Sequence, residues 1–204
     1  MIIVGAGGHA KEIAGVLADL DQGDDLFFYD DVTPNMPNVF LERFAILRNE
    51  EEARKELLSD PRFVLGVGNP KHRWQLTEKF LTLGGVLTSV ISPHARVGRY
   101  RVELGDGLNV MTGAVVTESV TLGTGTLVHV LASVHHDCQV GEFCELLPGS
   151  RVLGNVTIGN FTSVGSGAVI LPKIRVGNNV IIGAGAVVTR DVPDDSKVKG
   201  VPAR

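Results

Sequence analysis

Short apolar runs alternate with amphipathic stretches over residues 1–89. The runs IIVG, LFFYDD, FAIL and FVLGVG have the apolar character of buried strands, whereas GGHAKEIAGVLADL, NEEEARKELL and PKHRWQLTEKFLTLG have the spacing of helices. The last helix is predicted to open at Pro70 and to close at Gly84, residue types that favour those positions. Alternating strands and helices predict a parallel sheet covered by helices, so residues 1–89 are expected to form a small Rossmann-like α/β domain.

From residue 90 onward the pattern changes to a repeat of six residues. Every sixth residue from Leu104 to Val188 is leucine, valine or isoleucine, without a break. The position four residues after each of these is usually small or β-branched, as at Ala114, Thr126, Ala132, Cys138, Cys144, Ser150, Thr162, Ala168 and Ala186. Glycine also recurs every eighteen residues, at Gly105, Gly123, Gly141, Gly159 and Gly177.

Six residues per side and three sides per turn describe a triangular β-helix. Each aliphatic residue is expected to point inward, the small residue to fill the corner, and glycine or a polar residue to make the turn. Ile91 and Val97 share the spacing, but the step to Leu104 is seven residues, so the first coil carries one inserted residue. The repeat stops at RDVPDD, which predicts a β-helix over residues 90–193 and a C-terminal tail over residues 194–204.

Composition narrows the function. The net charge is −4 and no basic cluster stands out along the chain, so nucleic acid is not an expected partner. No apolar run approaches the length that spans a bilayer, and the start of the chain lacks the features of a signal peptide. With only two cysteines, Cys138 and Cys144, the expected location is the reducing cytoplasm.

The stretch SVHHDCQVGEF places two histidines and an aspartate in a region otherwise dominated by aliphatic and small residues. Since Val134 points inward, His135 and His136 are expected on the following turn, facing out. The carboxylate of Asp137 adjoins His136, where it can orient the imidazole and stabilise its protonated form. Residues eighteen apart lie in adjacent coils, so Glu118 and Gly154 are expected to flank His136. For His135, a solvated corner residue is the simpler interpretation.

Four motifs at particular separations carry a resemblance to a known family: GAGGHAKE, YDD, HDCQVGEF and GAGAVVTRDVP…GVPAR. Over essentially its full length, the chain resembles the bacterial sugar acyltransferases related to sialic acid O-acetyltransferase and to the nucleotide-aminosugar N-acetyltransferases. The second half resembles the hexapeptide-repeat acyltransferases, whose coils form a left-handed β-helix. The hand of the helix follows from the resemblance, because the period does not determine it.

The resemblance also implies a mechanism and an assembly. It makes His136, supported by Asp137, the general base of a direct acetyl transfer from acetyl-CoA, with no acetyl-enzyme intermediate and no metal, and it makes the amide of Gly154 the oxyanion donor. Relatives are trimers that bind acetyl-CoA between adjacent helices, which assigns Ser166 and Ala184 to that groove. Cys138 lies next to the site in sequence, but it occupies the inward corner position, which favours packing over acyl transfer.

Two positions depart from the family pattern. Relatives commonly carry histidine near acetyl-CoA at the position of Glu145, and often asparagine near the acceptor at the position of His129. These departures leave the acceptor less well defined by the resemblance than the acetyl-transfer chemistry. His129 is expected to face outward, towards substrate or solvent.

The first domain carries GAGGHA, which partly matches the dinucleotide-binding motif G-x-G-x-x-G. Carboxylates follow some two dozen residues further on. Glycines after a strand let a phosphate approach helix-terminal N–H groups. An NAD enzyme would need a substrate domain beside the nicotinamide, which a β-helix does not suggest. The resemblance assigns this domain to the nucleotide of a nucleotide-linked sugar, through Gly7, Gly8, His9, Asp30, Asp31 and Gly68; a purely structural turn is the alternative.

The leading hypothesis is an N-acetyltransferase that acts on a nucleotide-linked amino sugar, for glycan or glycoprotein synthesis. O-acetylation of sialic acid or a similar sugar is the rival within the same class. A metal-dependent β-helix enzyme of the γ-carbonic-anhydrase kind would need three converging ligands, and the spacing of His94, His129 and His135 does not match that requirement. A non-catalytic protein that binds sugar nucleotides is the third alternative.

Overall fold

The structure, a computed structural model, describes residues 1–204. The chain forms two compact units, Met1–Val90 and Ile91–Arg204. None of its helices is long and apolar enough to cross a lipid bilayer.

The first unit contains a six-stranded sheet and three helices. In chain order its elements are β1 Ile2–Val4, α1 Gly8–Asp19, β2 Phe27–Tyr29, β3 Val39–Phe40, β4 Phe44–Leu47, α2 Glu50–Leu57, β5 Arg62–Leu65, α3 Pro70–Thr82 and β6 Val86–Leu87. The sheet order is β3-β4-β2-β1-β5-β6, and every pairing is parallel except that of β3 with β4. The predicted strands and helices are confirmed, whereas β3 and β6 were not predicted, because two residues carry no recognisable periodicity.

The three helices begin in different ways. The Asn49 side chain accepts the Glu52 N–H at 2.9 Å and caps α2. The Asn69 side chain caps α3 by accepting the N–H groups of Lys71 and His72. Helix α1 begins after Gly7, which has no side chain to cap it. The first N–H groups of α1 therefore lack the side-chain acceptor that the other two helices have.

The second unit is a parallel β-helix with three sides, each a sheet of two-residue strands. The first side contains β7 Val90–Ile91, β10 Asn109–Val110, β13 Leu127–Val128, β16 Glu145–Leu146, β19 Ser163–Val164, β22 Ile181–Ile182 and β24 Lys197–Val198. The second side contains β8 Arg96–Val97, β11 Val115–Val116, β14 Ser133–Val134, β17 Arg151–Val152, β20 Val169–Ile170 and β23 Val187–Val188. The third side contains β9 Glu103–Leu104, β12 Thr121–Leu122, β15 Gln139–Val140, β18 Thr157–Ile158 and β21 Arg175–Val176.

The interior of the β-helix follows the predicted register with one exception. The aliphatic residues at every sixth position from Val110 to Val188 are buried, as are the small residues predicted for the corners. Leu104 was predicted to point inward with them, but it is 39% exposed. Its strand, β9, lies at the edge of the third side, so no coil before it completes its burial.

Strand register confirms the inserted residue in the first coil. Leu104 pairs with Leu122, eighteen residues further on, whereas Val97 pairs with Val116, nineteen residues further on. One extra residue therefore lies between Val97 and Leu104.

The end of the chain differs from its prediction as a tail after residue 193. Lys197–Val198 pairs with Ile181–Ile182 and adds a strand to the first side. Beyond it, Ala203 is buried, and its N–H donates to the carbonyl of Val187 at 2.8 Å. The aliphatic repeat stops at Val188, but backbone pairing does not depend on side-chain periodicity and continues past it.

The recurring glycines are required by close packing rather than by an unusual φ. A Cβ added to Gly123 would lie 2.5 Å from the carbonyl carbon of Gly141 and 2.6 Å from the Glu142 nitrogen. The left-handed backbone conformation falls two residues later in each corner, and side chains as different as Phe143 (φ 49°) and Asp137 (φ 59°) adopt it. The prediction that glycine or a polar residue makes every turn is thus too narrow.

Candidate active site

His136 lies on the corner that follows the second side, with its side chain 62% exposed. Its Nδ1 atom is 2.8 Å from Oδ2 of Asp137, so the carboxylate fixes the orientation of the ring. This contact assigns the proton to Nδ1 when the ring is neutral and leaves Nε2 as the proton acceptor. The positive φ of Asp137 is one that aspartate tolerates better than most residues.

Gly154 stacks directly against this imidazole. A Cβ at residue 154 would lie 2.6 Å from Cε1 and 2.7 Å from Nε2 of His136, so only glycine leaves the ring in place. The N–H of Gly154 has no hydrogen-bond partner in the structure.

The neighbouring corner explains why this N–H is unpaired. After the third side, the Oδ1 atom of Asn160 accepts the N–H of Glu142, eighteen residues earlier, and Asn178 does the same for Asn160. The residue eighteen positions after Gly154 is Pro172, and a proline side chain carries no hydrogen-bond acceptor. The Gly154 N–H is therefore available to a ligand that reaches Nε2 of His136.

His135 has a different environment. It is half-buried, and its Nε2 atom is 3.5 Å from Oγ of Ser133 in the preceding strand, β14. Its ring makes no contact with a carboxylate. The structure thus separates the two adjacent histidines chemically, and only His136 has a carboxylate partner.

The other predicted site residues of this unit lie away from His136. Ser166 and Ala184 stack in successive coils on the corner that follows the first side, where the N–H of Gly185 donates to the Ser166 carbonyl at 2.9 Å. Glu145 is half-buried on the first side, and its Oε2 atom accepts a hydrogen bond from Ser163 at 3.4 Å. His129 Nδ1 accepts the N–H of Val130 at 3.0 Å. One chain does not bring these residues together with His136.

Both cysteines pack inside the β-helix, as the repeat predicts. The Sγ atoms of Cys138 and Cys144 lie 3.1 Å from the carbonyl oxygens of Leu153 and Gly159. Burial raises the pKa of the Cys138 thiol and raises that of Cys144 to about 12. These thiols are therefore neutral at physiological pH and unsuited to nucleophilic catalysis.

The first unit contains a cleft of about 500 Å³ at the carboxyl ends of β1 and β2. Gly7, Asp30 and Asp31, three of the residues that the resemblance assigns to the nucleotide, line it together with Val67 and Lys79. Gly8 and His9 belong to α1 and Gly68 to the loop before α3, and none of these three lines the cleft. A crevice at the carboxyl end of a parallel sheet is the usual ligand position in this architecture.

The two carboxylates of the cleft have different roles. Asp30 is buried, and its side chain accepts the N–H groups of Val32 and Thr33 at 3.1 and 2.8 Å and the Thr33 hydroxyl at 2.7 Å. The Asp30 carboxylate thus holds the loop after β2, and its predicted contact with a ligand stays a prediction.

Asp31 belongs to a network that sequence analysis missed. Its Oδ2 atom accepts the Tyr29 hydroxyl at 2.8 Å and Nζ of Lys79 at 2.7 Å. Burial opposes ionisation of Asp31, but these hydrogen bonds outweigh it and lower the pKa of the carboxyl. Burial likewise disfavours the Lys79 ammonium, yet its bonds to Asp31, Tyr29 and Glu50 raise the pKa of the lysine. Tyr29 and Lys79 are fifty residues apart, so no local pattern indicated the contact.

Both halves of the chain match known protein families. The PglD N-terminal domain family matches residues 1–80, and the bacterial transferase hexapeptide (six repeats) family matches residues 137–171 and 155–190. GDP-perosamine N-acetyltransferase from Escherichia coli is 30% identical over 167 residues, which cover 76% of this chain and 71% of that protein.

Solved structures match over the whole chain. A histidine-to-asparagine mutant of perosamine N-acetyltransferase from Caulobacter crescentus, in complex with CoA and GDP-perosamine, has a TM-score of 0.89 and 30% identity, covering 100% of this chain and 94% of that one. The acetyltransferase domain of PglB from Neisseria gonorrhoeae, in complex with acetyl coenzyme A, has a TM-score of 0.86 and 34% identity, covering 100% and 97%.

The chain has a small α/β domain followed in sequence by a left-handed β-helix of hexapeptide repeats. This combination places the protein in the class of hexapeptide-repeat acyltransferases. Within that class, the chain belongs to the bacterial sugar acetyltransferases, a family of acetyl-CoA-dependent enzymes. The comparisons favour this assignment over the metal-dependent enzyme and the non-catalytic binding protein that the sequence left open.

Proposed function

We propose that this protein transfers the acetyl group of acetyl-CoA to the amine of a nucleotide-linked amino sugar, and that the product serves glycan or glycoprotein synthesis. The observation that carries the proposal is the exposed His136 imidazole, with Nδ1 on the Asp137 carboxylate and Nε2 against Gly154. The relatives crystallised with CoA and GDP-perosamine support this class of donor and acceptor.

The proposed reaction is a direct transfer. Nε2 of His136 takes a proton from the amine while the amine nitrogen attacks the thioester carbonyl, and the N–H of Gly154 stabilises the oxyanion. The C–S bond then breaks, and the proton held by His136 goes to the departing CoA thiolate. A positioned base accounts for a factor on the order of 10²–10⁴ in rate, and one oxyanion donor for roughly 10²–10³.

The cleft of the first unit is the proposed site for the nucleotide. Gly7 leaves the start of α1 without a side-chain cap, so the helix N–H groups are open to a phosphate. The Asp31 carboxylate, fixed by Lys79 and Tyr29, offers its other oxygen to a hydroxyl of ribose or to an N–H of the base. A rigid acceptor of this kind recognises a ligand without a large loss of side-chain entropy.

A thiol-release assay tests the proposal. Acetyl-CoA is incubated with the full chain and each member of a panel of UDP- and GDP-linked amino sugars, with sialic acid as the acceptor for the O-acetylation rival. The expected result is thiol release with a nucleotide amino sugar and a product heavier by one acetyl group on nitrogen. Turnover of sialic acid alone would replace this proposal with O-acetylation.

A further inference from the structure

The charged network in the cleft of the first unit has already used all of its hydrogen-bond donors. Nζ of Lys79 donates to the Tyr29 hydroxyl at 2.8 Å and to Oδ2 of Asp31 at 2.7 Å, and it lies 3.2 Å from Oε1 of Glu50. An ammonium group has three N–H bonds, so these contacts use all of them. The Tyr29 hydroxyl in turn donates its only proton to Oδ2 of Asp31. Lysine and tyrosine therefore have no proton left for a ligand.

The second carboxylate oxygen of Asp31 is the acceptor that this network leaves over. Oδ1 accepts none of these hydrogen bonds, and Asp31 lines the cleft with its side chain 30% exposed. Burial opposes ionisation, but the bonds from Lys79 and Tyr29 lower the pKa of the carboxyl, so the group is charged at neutral pH. A fixed, ionised oxygen in a cleft favours a ligand that brings N–H or O–H donors and disfavours one that brings carbonyl oxygens.

Apolar side chains line the same cleft. Val67, in the loop after β5, and Leu76, on α3, are half-buried. Val32 follows Asp31 directly and is 82% exposed, although Asp30 holds its N–H at 3.1 Å. An exposed valine on a fixed loop is stabilised when a flat ligand covers it. Apolar contacts beside a carboxylate suit the face and the edge of a nucleobase better than a ribose, whose surface is rich in hydroxyl groups.

The hydrogen-bonding edge of the base determines which base fits. Guanine presents two donors side by side, N1–H and the 2-amino group, and both can point at one carboxylate. Uracil presents a single donor, N3–H, between two carbonyl oxygens, which the carboxylate charge repels. Gln75 also lines the cleft, one helical turn before Lys79, and its amide can donate to the O6 carbonyl beside guanine N1.

We propose that the cleft of the first unit is specific for guanine, and that the Asp31 carboxylate accepts the N1–H and 2-amino groups of the base. Val32, Val67 and Leu76 contact the apolar faces of the base, and the phosphates remain at the start of α1. This inference rests on the proposed function and narrows its acceptor to a GDP-linked amino sugar.

Calorimetry with nucleoside diphosphates and the full chain tests the inference without a sugar. GDP is expected to bind at least about tenfold more tightly than UDP, the difference typical of one hydrogen bond to a charged group. Inosine diphosphate, which lacks only the 2-amino group of guanine, should bind with an affinity between the two. 2′-Deoxy-GDP should bind about as tightly as GDP, because the ribose is not the ligand of Asp31.

Two variants test whether one carboxylate makes the distinction. Asp31→Asn should weaken the binding of GDP about tenfold and change that of UDP far less, because an amide presents a donor as well as an acceptor to the base. The matched control is Glu78→Gln. It makes the same change from carboxylate to amide at an exposed residue of α3 that does not line the cleft, and it should keep the preference for GDP.

The possible outcomes separate this inference from the proposed function. Equal or tighter binding of UDP, or an equal loss of GDP and UDP affinity in Asp31→Asn, would refute guanine specificity. Weak binding of 2′-deoxy-GDP with undiminished binding of inosine diphosphate would assign Asp31 to the ribose instead. Thiol release with a UDP-linked amino sugar, but not with its GDP-linked counterpart, would overturn this inference alone. Failure of every nucleoside diphosphate to bind would remove the nucleotide site of the proposed function as well.

Discussion

At the scale of single residues, the proposed chemistry depends on one imidazole and its neighbours. Asp137 holds Nδ1 of His136 at 2.8 Å, and Gly154 accommodates the ring by having no side chain. The adjacent His135 shares the turn but only approaches a serine hydroxyl. Orientation, and not the mere presence of histidine, therefore distinguishes the proposed base.

Substitution of the turn residues should give a definite order of effects. His136→Ala is expected to lower kcat by a factor on the order of 10²–10⁴ while acetyl-CoA still binds, because the proton acceptor is lost. Asp137→Asn should cost less, since it removes only orientation and charge support, and His135→Ala should cost least. Steady-state kinetics and calorimetry with CoA measure both properties. A larger effect at His135 than at His136 would show that His136 is not the base.

The buried thiols should be unreactive. Burial raises the pKa of both cysteines, so the native protein at pH 8 is expected to react with iodoacetamide only slowly, and both thiols should react readily in denaturant. Mass spectrometry counts the labels, and Cys144→Ala identifies which thiol reacts first. Rapid labelling of native Cys138 would contradict its inward position and reopen an acyl-cysteine mechanism.

At the scale of elements, each coil combines two different backbone requirements. The glycine at every eighteenth position makes room for the next coil, while the left-handed conformation two residues later is adopted by glycine and by larger residues alike. Phe143 and Phe161 occupy that left-handed position in adjacent coils, and their rings stack with centroids 5.8 Å apart. Packing between coils thus compensates for a backbone conformation that phenylalanine otherwise avoids.

The glycine column provides a stability test. Gly123→Ala places a Cβ 2.5 Å from backbone atoms of the next coil, which cannot move aside as a side chain can, so a loss of about 1–3 kcal/mol is expected. Gly183→Ala is the comparison, because its nearest neighbour is the Lys199 side chain at 3.0 Å. Thermal denaturation should give a clearly lower Tm for Gly123→Ala than for Gly183→Ala; equal values would contradict close packing as the reason for the column.

At the scale of the whole molecule, the two units carry different parts of the proposed function. The proposed nucleotide cleft is lined by residues from β1, β2 and α3, whereas the proposed base and oxyanion donor come from successive coils of the β-helix. Mutations in one unit should therefore affect one substrate more than the other.

Asp31→Asn tests this division. Loss of the carboxylate charge removes the partner of Lys79 and a ligand acceptor, so the KM for the nucleotide sugar should rise while the KM for acetyl-CoA stays nearly unchanged. Asp30→Ala, which releases the loop after β2, should also lower thermal stability. Equal changes in both KM values for Asp31→Asn would indicate a damaged fold instead of a lost contact.

A homotrimer is the expected assembly. In one chain His136 and the pair Ser166 and Ala184 lie on different corners, so a CoA groove built from both needs a second copy. Exposed aliphatic residues such as Leu131 (71%) and Ile181 (47%) offer apolar surface for that contact. Light scattering should give three times the chain mass of 21.7 kDa, and a fully active monomer would refute the shared groove.

The sequence by itself determined the β-helix and the position of His136. A strict period of six is set by local geometry, so the inward register, the small corner residues and the stacking of Gly154 on His136 all followed from counting. Alternating strands and helices similarly predicted the order of elements in the first unit.

Only the tertiary structure decided which groups are already engaged. Asp30 and Asp31 are neighbours in sequence, yet one holds its own loop and the other is bound by Lys79, forty-eight residues away. The strand at Lys197–Val198 was equally invisible in the sequence, because backbone pairing depends on what surrounds a residue in space. Periodicity reports which way a side chain points, but not which distant partner it meets.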